Sequence, residues 1–211
     1  MTDHPRDTEN PCGVSKSTEH WDAKILHDAM RRAKRTSPDS FLTTVEDVEE
    51  KPLEHWIDEM RSSTWAIAES KGSVVGVAAA KRPDPDIDTE DQATARYIES
   101  VWIAPYLRGH GLGQRLVRYL LEAEHRKNQH VRHFLLWVFT TNSPAIRLYE
   151  HMGFVQTQEK NEGVRTEIKY RLDFDSIVHT AVRSAVNDAA RRQDKHQYEV
   201  TYRILGEKDS G

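Results

Sequence analysis

Apolar side chains fall at helical spacing over the first part of the chain. Between residues 21 and 35 they recur every three or four positions, and a second stripe runs between residues 46 and 60. Residues three or four apart share one face of an α-helix, so both patterns predict amphipathic helices. The stripes consist of Trp21, Ile25, Leu26, Ala29, Met30 and Ala33, and of Leu53, Trp56, Ile57 and Met60, with Pro52 near the start of the second.

The middle of the chain carries short apolar or alternating runs of the length typical of strands. Two of them flank a Ser-Lys-Gly-Ser turn and predict a β-hairpin. Amphipathic helices are predicted from Leu112 onward and over residues 142–152, the latter ended by Gly153. Helices followed by antiparallel strands and then by a β-α-β-α-β-β order predict an α/β (α+β) fold with a mixed sheet. The predicted strands are residues 64–69, 74–81, 96–103, 133–139, 154–160 and 165–173.

The two ends of the chain differ from this central part. Residues 1–20 are polar and predict a flexible leader, whereas residues 21–172 are expected to form one domain. In residues 173–211, apolar pairs recur every four positions and a final alternating run follows, which predicts a helix and a strand. That strand is expected to join either the edge of its own sheet or the edge of a second copy, and the second alternative would be a homodimer.

Composition excludes several classes of protein. The chain has 211 residues, 37% of them hydrophobic, and no apolar run approaches the length of about 20 residues that a membrane span needs. The net charge of −4 and the lack of a basic patch argue against a nucleic-acid partner. A single cysteine, Cys12, leaves no intrachain disulfide, and the N-terminus has no apolar signal core. We therefore expect a cytoplasmic location and no membrane partner.

Residues 101–114 contain the clearest indication of a binding site. A strand runs into a loop with alternating glycines, Gly109, Gly111 and Gly113, and this loop opens directly into a helix. Its backbone N–H groups can approach an anion, which the positive end of the helix dipole favours, and Arg108 adds a cation suited to phosphate. The loop lacks the Gly-Lys-Ser/Thr ending of a nucleotide P-loop and the G-x-G-x-x-G spacing of a dinucleotide site. A ligand that carries phosphate groups is therefore predicted.

Two motifs resemble those of the GNAT superfamily of N-acetyltransferases. Residues 103–113, Ile-Ala-Pro-Tyr-Leu-Arg-Gly-His-Gly-Leu-Gly, are similar to the pyrophosphate-binding motif of that family. Residues 142–154, Asn-Ser-Pro-Ala-Ile-Arg-Leu-Tyr-Glu-His-Met-Gly-Phe, are similar to its N-x-x-A-x-x-L-Y-E-x-x-G-F signature. The resemblance is best over residues 97–155 and extends over residues 21–172.

This resemblance implies a splayed mixed β-sheet flanked by helices, with the predicted C-terminal helix and strand as an addition. The sheet would open between the family's fourth and fifth strands, here residues 96–103 and 133–139. Acetyl-CoA, as co-substrate, would lie in that opening, with its pantetheine along the first of these strands and its pyrophosphate at the loop. The cofactor contacts so assigned are Val101, Trp102, Ile103, Arg108, Gly109, His110, Gly111, Leu112, Gly113, Gln114 and Asn142, and Asn142 is also expected to cap its helix.

Two residues are candidates for catalysis. The resemblance implies that Tyr149 protonates the leaving CoA thiolate, and its alternative role is packing. Glu99 lies on the strand before the loop and is a candidate base for the amine, unless its carboxylate faces solvent or is ion-paired. The expected reaction is direct attack by a primary amine in a ternary complex, without a metal. The alternatives are a non-catalytic acyl-CoA-binding or sensing module and, less favoured, a dinucleotide-dependent oxidoreductase.

Acidic clusters and histidines bear on the partner and on metals. Carboxylates concentrate at residues 46–50 and 84–91, and acidic walls would favour a cationic small-molecule or peptide amine, whereas a solvated surface is the alternative. His125, His130 and His133 have no cysteine or carboxylate at the spacing of a zinc site, so no metal is expected.

Overall fold

The computed structural model describes residues 16–163, 165–174 and 199–207. One seven-stranded sheet, in the order β5-β6-β4-β3-β2-β1-β7, is packed against the helices. All neighbouring strands are antiparallel except β3 and β4. The helices are α1 (Lys16–Thr36), α2 (Val45–Glu49), α3 (Leu53–Ser62), α4 (Leu112–Lys127) and α5 (Ser143–His151), and the strands are β1 (Thr64–Ser70), β2 (Ser73–Lys81), β3 (Ala95–Ile103), β4 (His133–Phe139), β5 (Val155–Glu162), β6 (Arg165–Asp173) and β7 (Thr201–Ile204). The predicted α/β (α+β) fold with a mixed sheet is confirmed.

The sheet opens between β3 and β4. These parallel strands pair only at their first residues, where Ala95, Arg96 and Tyr97 lie opposite the start of β4. Further along, the pairing of β3 with β2 shifts register, and Ser100 takes a φ of 54°, a left-handed conformation that a residue with a side chain adopts at a cost of about 1 kcal/mol. The irregularity turns the second half of β3 away from β4. The sheet therefore opens between the two strands that the sequence analysis expected to separate, β3 and β4.

A buried ion pair fixes the closed end of this opening. Glu124 of α4 accepts a hydrogen bond from Arg96 Nε at 2.6 Å and from Thr64 Oγ1 at 2.5 Å. All three side chains are buried. Because Arg96 is the second residue of β3 and Thr64 is the first of β1, one carboxylate ties α4 to two strands, and the helix that follows the glycine loop is held against the sheet.

Two helices differ from their predictions. The helix predicted over residues 46–60 is split into α2 and α3, because Pro52 has no N–H to donate and disfavours helical geometry at the residue before it. The first helix starts at Lys16 rather than at Trp21. Glu19 in its first turn accepts two hydrogen bonds from Arg61, at 2.9 and 3.0 Å, which ties the end of the predicted leader to α3.

The C-terminal strand joins the sheet of its own chain. β7 runs antiparallel to β1, with Ile67 opposite Arg203. Arg203 donates to the buried carboxylate of Asp22 on α1 at 2.9 Å and to Glu69 at 3.1 Å. Of the two alternatives for this strand, the structure shows pairing with its own sheet. The helix predicted after Asp175 lies outside the described residues.

In the part of the chain that the structure describes, no helix combines the length and the apolar character that crossing a bilayer requires.

Candidate functional site

The glycine loop is an anion cradle made of backbone. Gly109 and Gly111 have φ values of 80° and 73°, a left-handed conformation that favours glycine, although no atom would crowd a side chain there. Gly111 is the N-cap of α4 and has no side chain to occupy the first N–H groups of the helix. These groups, together with the helix dipole, favour a bound anion.

Gly113 is required for a different reason, which is close packing. A Cβ at this position would lie 2.6 Å from Leu148 Cδ1, far inside van der Waals contact. The absence of a side chain therefore lets the first turn of α4 approach α5. The two motifs of the sequence, the glycine loop and the Asn142–Phe154 segment, are brought together at this contact.

Arg108 and Arg115 connect the loop to other elements. Arg108 donates from Nε to the Ile103 carbonyl at 2.9 Å and from Nη2 to Ser37 Oγ at 2.6 Å. Arg115 donates to the His110 carbonyl at 3.3 Å and to the Tyr202 hydroxyl at 3.2 Å. The Arg108 guanidinium is thus engaged within the protein at the end of β3, so its predicted contact with phosphate would add to, or replace, these bonds.

A cavity of about 490 Å³ extends from the glycine loop along β3 to α5. Beyond Tyr97, the side of β3 that faces this opening has no pairing with β4. The cavity is lined by the predicted cofactor contacts with the exception of His110: Val101, Trp102, Ile103, Arg108, Gly109, Gly111, Leu112, Gly113, Gln114 and Asn142. The structure therefore brings ten of the eleven predicted residues to one cavity.

A second cavity of about 530 Å³ lies on the other side of the opening, among α1, α2, α3, α5 and the strands β1 to β6. The two cavities adjoin at a small set of residues that line both. These residues are Ser40, Phe41, Val101, Asn142, Ala145 and Tyr149. A ligand in the first cavity and a ligand in the second would meet at this junction, beside Tyr149.

Tyr149 is a buried side chain at the junction. Only 6% of its surface is exposed, and its ring packs edge-on against Phe154 with 5.6 Å between ring centroids. Burial raises the pKa of the Tyr149 hydroxyl, so the group stays protonated at neutral pH. The helix that carries it is capped as predicted, since Asn142 Oδ1 accepts a hydrogen bond from Ala145 N at 3.3 Å.

Glu99 lies in the second cavity beside a lysine that sequence reasoning missed. Its side chain is 49% exposed, and its Oε2 lies 3.5 Å from Lys81 Nζ. The same ammonium lies 2.8 Å from Glu59 Oε2. Burial lowers the pKa of Lys81, but the two carboxylates outweigh burial and the net pKa is raised, so Lys81 is charged. Glu99 is thus both on the cavity wall, as the base requires, and ion-paired, as the alternative holds.

The acidic clusters do not form an acidic wall. From residues 46–50 only Asp47 carries a carboxylate into the cavity, and no residue of the 84–91 loop lines it. Glu90 of that loop instead pairs with Lys169 and accepts from the Tyr97 hydroxyl. The cavity has as many ammonium groups as carboxylates: Lys34, Lys51, Lys81 and Lys160, against Asp47, Glu59, Glu99 and Glu167. The wall of this cavity therefore has no excess of negative charge that would favour a cationic acceptor.

The histidines are placed apart. His125 stacks on Phe174 with 3.5 Å between ring centroids, and His133 lies 2.7 Å from the carboxylate of Asp173. Across residues 16–163, 165–174 and 199–207, no three histidine, cysteine or acidic side chains are grouped as a metal site would need.

A sheet split beside a glycine loop, with a second cavity meeting the first at a buried tyrosine, defines a fold of the N-acetyltransferase type. A family model described as "Acetyltransferase (GNAT) family" matches residues 26–154. The chain therefore belongs to this family, which confirms the resemblance found in the two motifs.

Individual relatives agree with this assignment. A mycothiol acetyltransferase of Acidothermus cellulolyticus is 27% identical over 130 residues, which are 58% of this chain and 38% of that protein. The chain thus matches about two fifths of the length of this relative. A solved structure of aminoglycoside acetyltransferase AAC(6')-Ib in complex with coenzyme A has a TM-score of 0.60 at 24% identity, over 80% of this chain and 96% of the other. The Salmonella typhimurium protein yncA, solved with its cofactor acetyl-CoA, has a TM-score of 0.54 at 17% identity, over 76% and 91%.

Proposed function

We propose that this chain is an acetyl-CoA-dependent N-acetyltransferase that transfers an acetyl group to a primary amine by direct attack in a ternary complex. The observation that carries the proposal is the junction of two cavities at Tyr149. One cavity offers the backbone cradle for a pyrophosphate, and the other has room for an acceptor. Solved neighbours with coenzyme A or acetyl-CoA support the choice of co-substrate.

The residues of the first cavity fit CoA. Gly109 and Gly111 keep the backbone N–H groups open to an anion, and a side chain at either would strain the loop. The unpaired edge of β3 at Val101–Ile103 offers backbone groups to an extended chain such as pantetheine, in the manner of an added strand. Acetyl-CoA supplies the thioester whose acetyl group is transferred.

Tyr149 and Glu99 would handle the two protons of the reaction. When the amine nitrogen bonds to the acetyl carbon and the carbon–sulfur bond breaks, the amine loses a proton and the thiolate gains one. Tyr149, held protonated by burial, donates a proton to the sulfur. Glu99 accepts the amine proton directly or through a water, and Lys81 Nζ lies 3.5 Å from its Oε2. Proton exchange with solvent restores both groups.

The acceptor is a small-molecule or peptide amine of the second cavity. The names of two similar proteins, a mycothiol acetyltransferase and an aminoglycoside acetyltransferase, favour a small-molecule acceptor. The balanced charges of the cavity wall give no preference for a polycation such as an aminoglycoside. A cytoplasmic location, expected from the sequence, fits the use of acetyl-CoA.

The test is release of free thiol by the full chain given acetyl-CoA and a panel of primary amines. We expect thiol release that depends on both the protein and an amine, and thermal stabilisation by CoA but not by NAD. Stabilisation by CoA without thiol release from any amine would indicate the acyl-CoA-binding or sensing module. Stabilisation by NAD alone would indicate the oxidoreductase alternative.

A further inference from the structure

Two lysines of the acceptor cavity, Lys34 and Lys51, have no carboxylate at ion-pair distance among the described residues, and Lys34 is the buried one. Lys34 of α1 lines this cavity, although only 6% of the residue is exposed. Within the described residues, its ammonium makes no hydrogen bond and has no carboxylate at ion-pair distance. The contact that it does make is with the ring of Phe41, whose centroid lies 5.6 Å from Nζ.

Three of the four carboxylates of the cavity are paired with other lysines. Lys81 pairs with Glu59 and Glu99, and Lys160 lies 3.1 Å from Glu167. The remaining carboxylate of the cavity is Asp47, and its charge is the one that acts on Lys34.

Asp47 is held by the end of its own helix. Its Oδ2 accepts hydrogen bonds from the Thr44 backbone N–H at 2.6 Å and from Thr44 Oγ1 at 3.1 Å, and Thr44 Oγ1 in turn accepts from Asp47 N. This reciprocal capping box keeps the carboxylate at the start of α2. Lys34 and Asp47 attract each other at a distance beyond that of an ion pair.

A largely buried lysine whose ammonium has no ion-pair partner among the described residues is unfavourable. Burial lowers the pKa of Lys34, and the attraction of Asp47 offsets this only in part. An anion brought against the ammonium would compensate for the water that burial has removed. The arrangement is therefore one that a ligand can complete.

We propose that Lys34 binds an oxyanion of the acceptor, so that the substrate is a primary amine that also carries a carboxylate or a phosphate. This inference rests on the proposed function and names the class of its acceptor. Phe41, which Lys34 contacts, lines both cavities, so the oxyanion site lies beside the junction at Tyr149. The amine end would face Glu99 and the anionic end Lys34, which gives a zwitterionic acceptor a complementary charge at each end.

The test compares amines matched in chain length. The full chain is given acetyl-CoA with ω-amino carboxylates, with aminoalkyl phosphates and with unsubstituted alkylamines, and kcat/KM is measured by thiol release. We expect the wild-type protein to prefer one anionic series over the alkylamines by about 10-fold to 100-fold, the effect of a hydrogen bond to a charged group. Which series is preferred distinguishes a carboxylate from a phosphate.

Three variants connect this preference to Lys34. Lys34→Met, which keeps the length of the side chain and is apolar, should remove the preference, whereas Lys34→Arg should retain most of it. Lys24→Met changes an exposed lysine of the same helix outside the cavity and should behave as wild type. A wild-type protein without preference, or a preference that survives Lys34→Met, would overturn the inference.

A binding measurement keeps the inference testable if turnover is slow. The same anionic amines should raise the melting temperature of the CoA-bound wild-type protein more than that of the Lys34→Met variant. Failure of both measurements overturns the oxyanion site, even if alkylamines are acetylated and the proposed function holds. If no amine releases thiol and CoA gives no stabilisation, the proposed function itself fails.

Discussion

Replacing Tyr149 with phenylalanine removes one hydroxyl from the junction of the two cavities and leaves the ring in place. The ring keeps its edge-on contact with Phe154. No described residue donates to or accepts from the Tyr149 hydroxyl, so the substitution leaves no polar group of the protein without its partner. We therefore expect the free energy of unfolding to change by less than about 1 kcal/mol.

The size of the kinetic effect follows from the surroundings of the hydroxyl. General acid catalysis contributes about 10²-fold to 10⁴-fold to rate. Burial raises the pKa of Tyr149 well above that of a thiol, about 8.5, so full transfer of the proton to the thiolate is uphill. The contribution should then lie at the lower end, and Tyr149→Phe should lower kcat about 100-fold, or about 2.7 kcal/mol of barrier. KM for acetyl-CoA should change by less than about threefold.

The assay is steady-state thiol release with acetyl-CoA and the best amine of the panel, between pH 7 and 9.5. Because the raised pKa keeps Tyr149 protonated over this range, the ratio of wild-type to variant kcat should be constant with pH. Tyr170→Phe is the matched control, since that hydroxyl donates to Glu150 at 3.0 Å and lines neither cavity. A Tyr149→Phe variant that keeps more than about a third of wild-type kcat would refute the general-acid role and leave packing as the function of this residue.

Three further substitutions test the scaffold. Gly113→Ala places a Cβ 2.6 Å from Leu148 Cδ1, so the Leu148 side chain or the first turn of α4 must shift. Calorimetric titration should show CoA affinity reduced by up to about 10-fold, with about 1–3 kcal/mol of stability lost. Unchanged affinity would show that Leu148 alone absorbs the change and would contradict the close-packing argument. Glu124→Gln removes the carboxylate that pairs with buried Arg96 and should lower the free energy of unfolding, measured in urea, by about 3–5 kcal/mol. Glu122→Gln, on the exposed face of the same helix, should leave that free energy unchanged. Equal losses would contradict a buried ion pair. Arg203→Met leaves a buried carboxylate of α1 without its ion pair, and amide exchange in β7 should speed up more than in β4; equal protection would show that β7 is held by its backbone pairing alone.

The fold was largely predictable because its signals are local. Alternation marks the strands, and the apolar stripe that starts at Leu112 marks α4 with bounds close to those observed. The split between α2 and α3 follows from Pro52, whose effect on the preceding residue is also local. The first turn of α1 was not predicted, because it is held by the contact of Glu19 with Arg61, a residue distant in sequence.

The candidate site was predictable on one side only. The cavity of the glycine loop is built mainly from two continuous segments, residues 101–114 and 142–151, so a motif read along the chain identifies its wall. The acceptor cavity takes its residues from ten helices and strands, and no spacing in the sequence relates Lys34 to Lys81 or Glu59. The acidic loop shows the same limit, since Asp84 and Asp88 accept hydrogen bonds from the backbone of their own loop and composition does not reveal where a carboxylate points.

This division has a physical consequence for how the site can change. A substitution in the glycine loop alters backbone conformation or the contact between α4 and α5, and it would affect any reaction that uses CoA. Charge in the acceptor cavity instead depends on pairs between distant elements, such as Lys81 with Glu59 and Lys160 with Glu167. Losing one member of a pair would leave a charge uncompensated, and under the proposed function it would change which acceptor the cavity favours while the glycine loop and Tyr149 stay as they are. Within one fold, the residues proposed to select the amine can thus vary separately from those that would hold the acetyl donor.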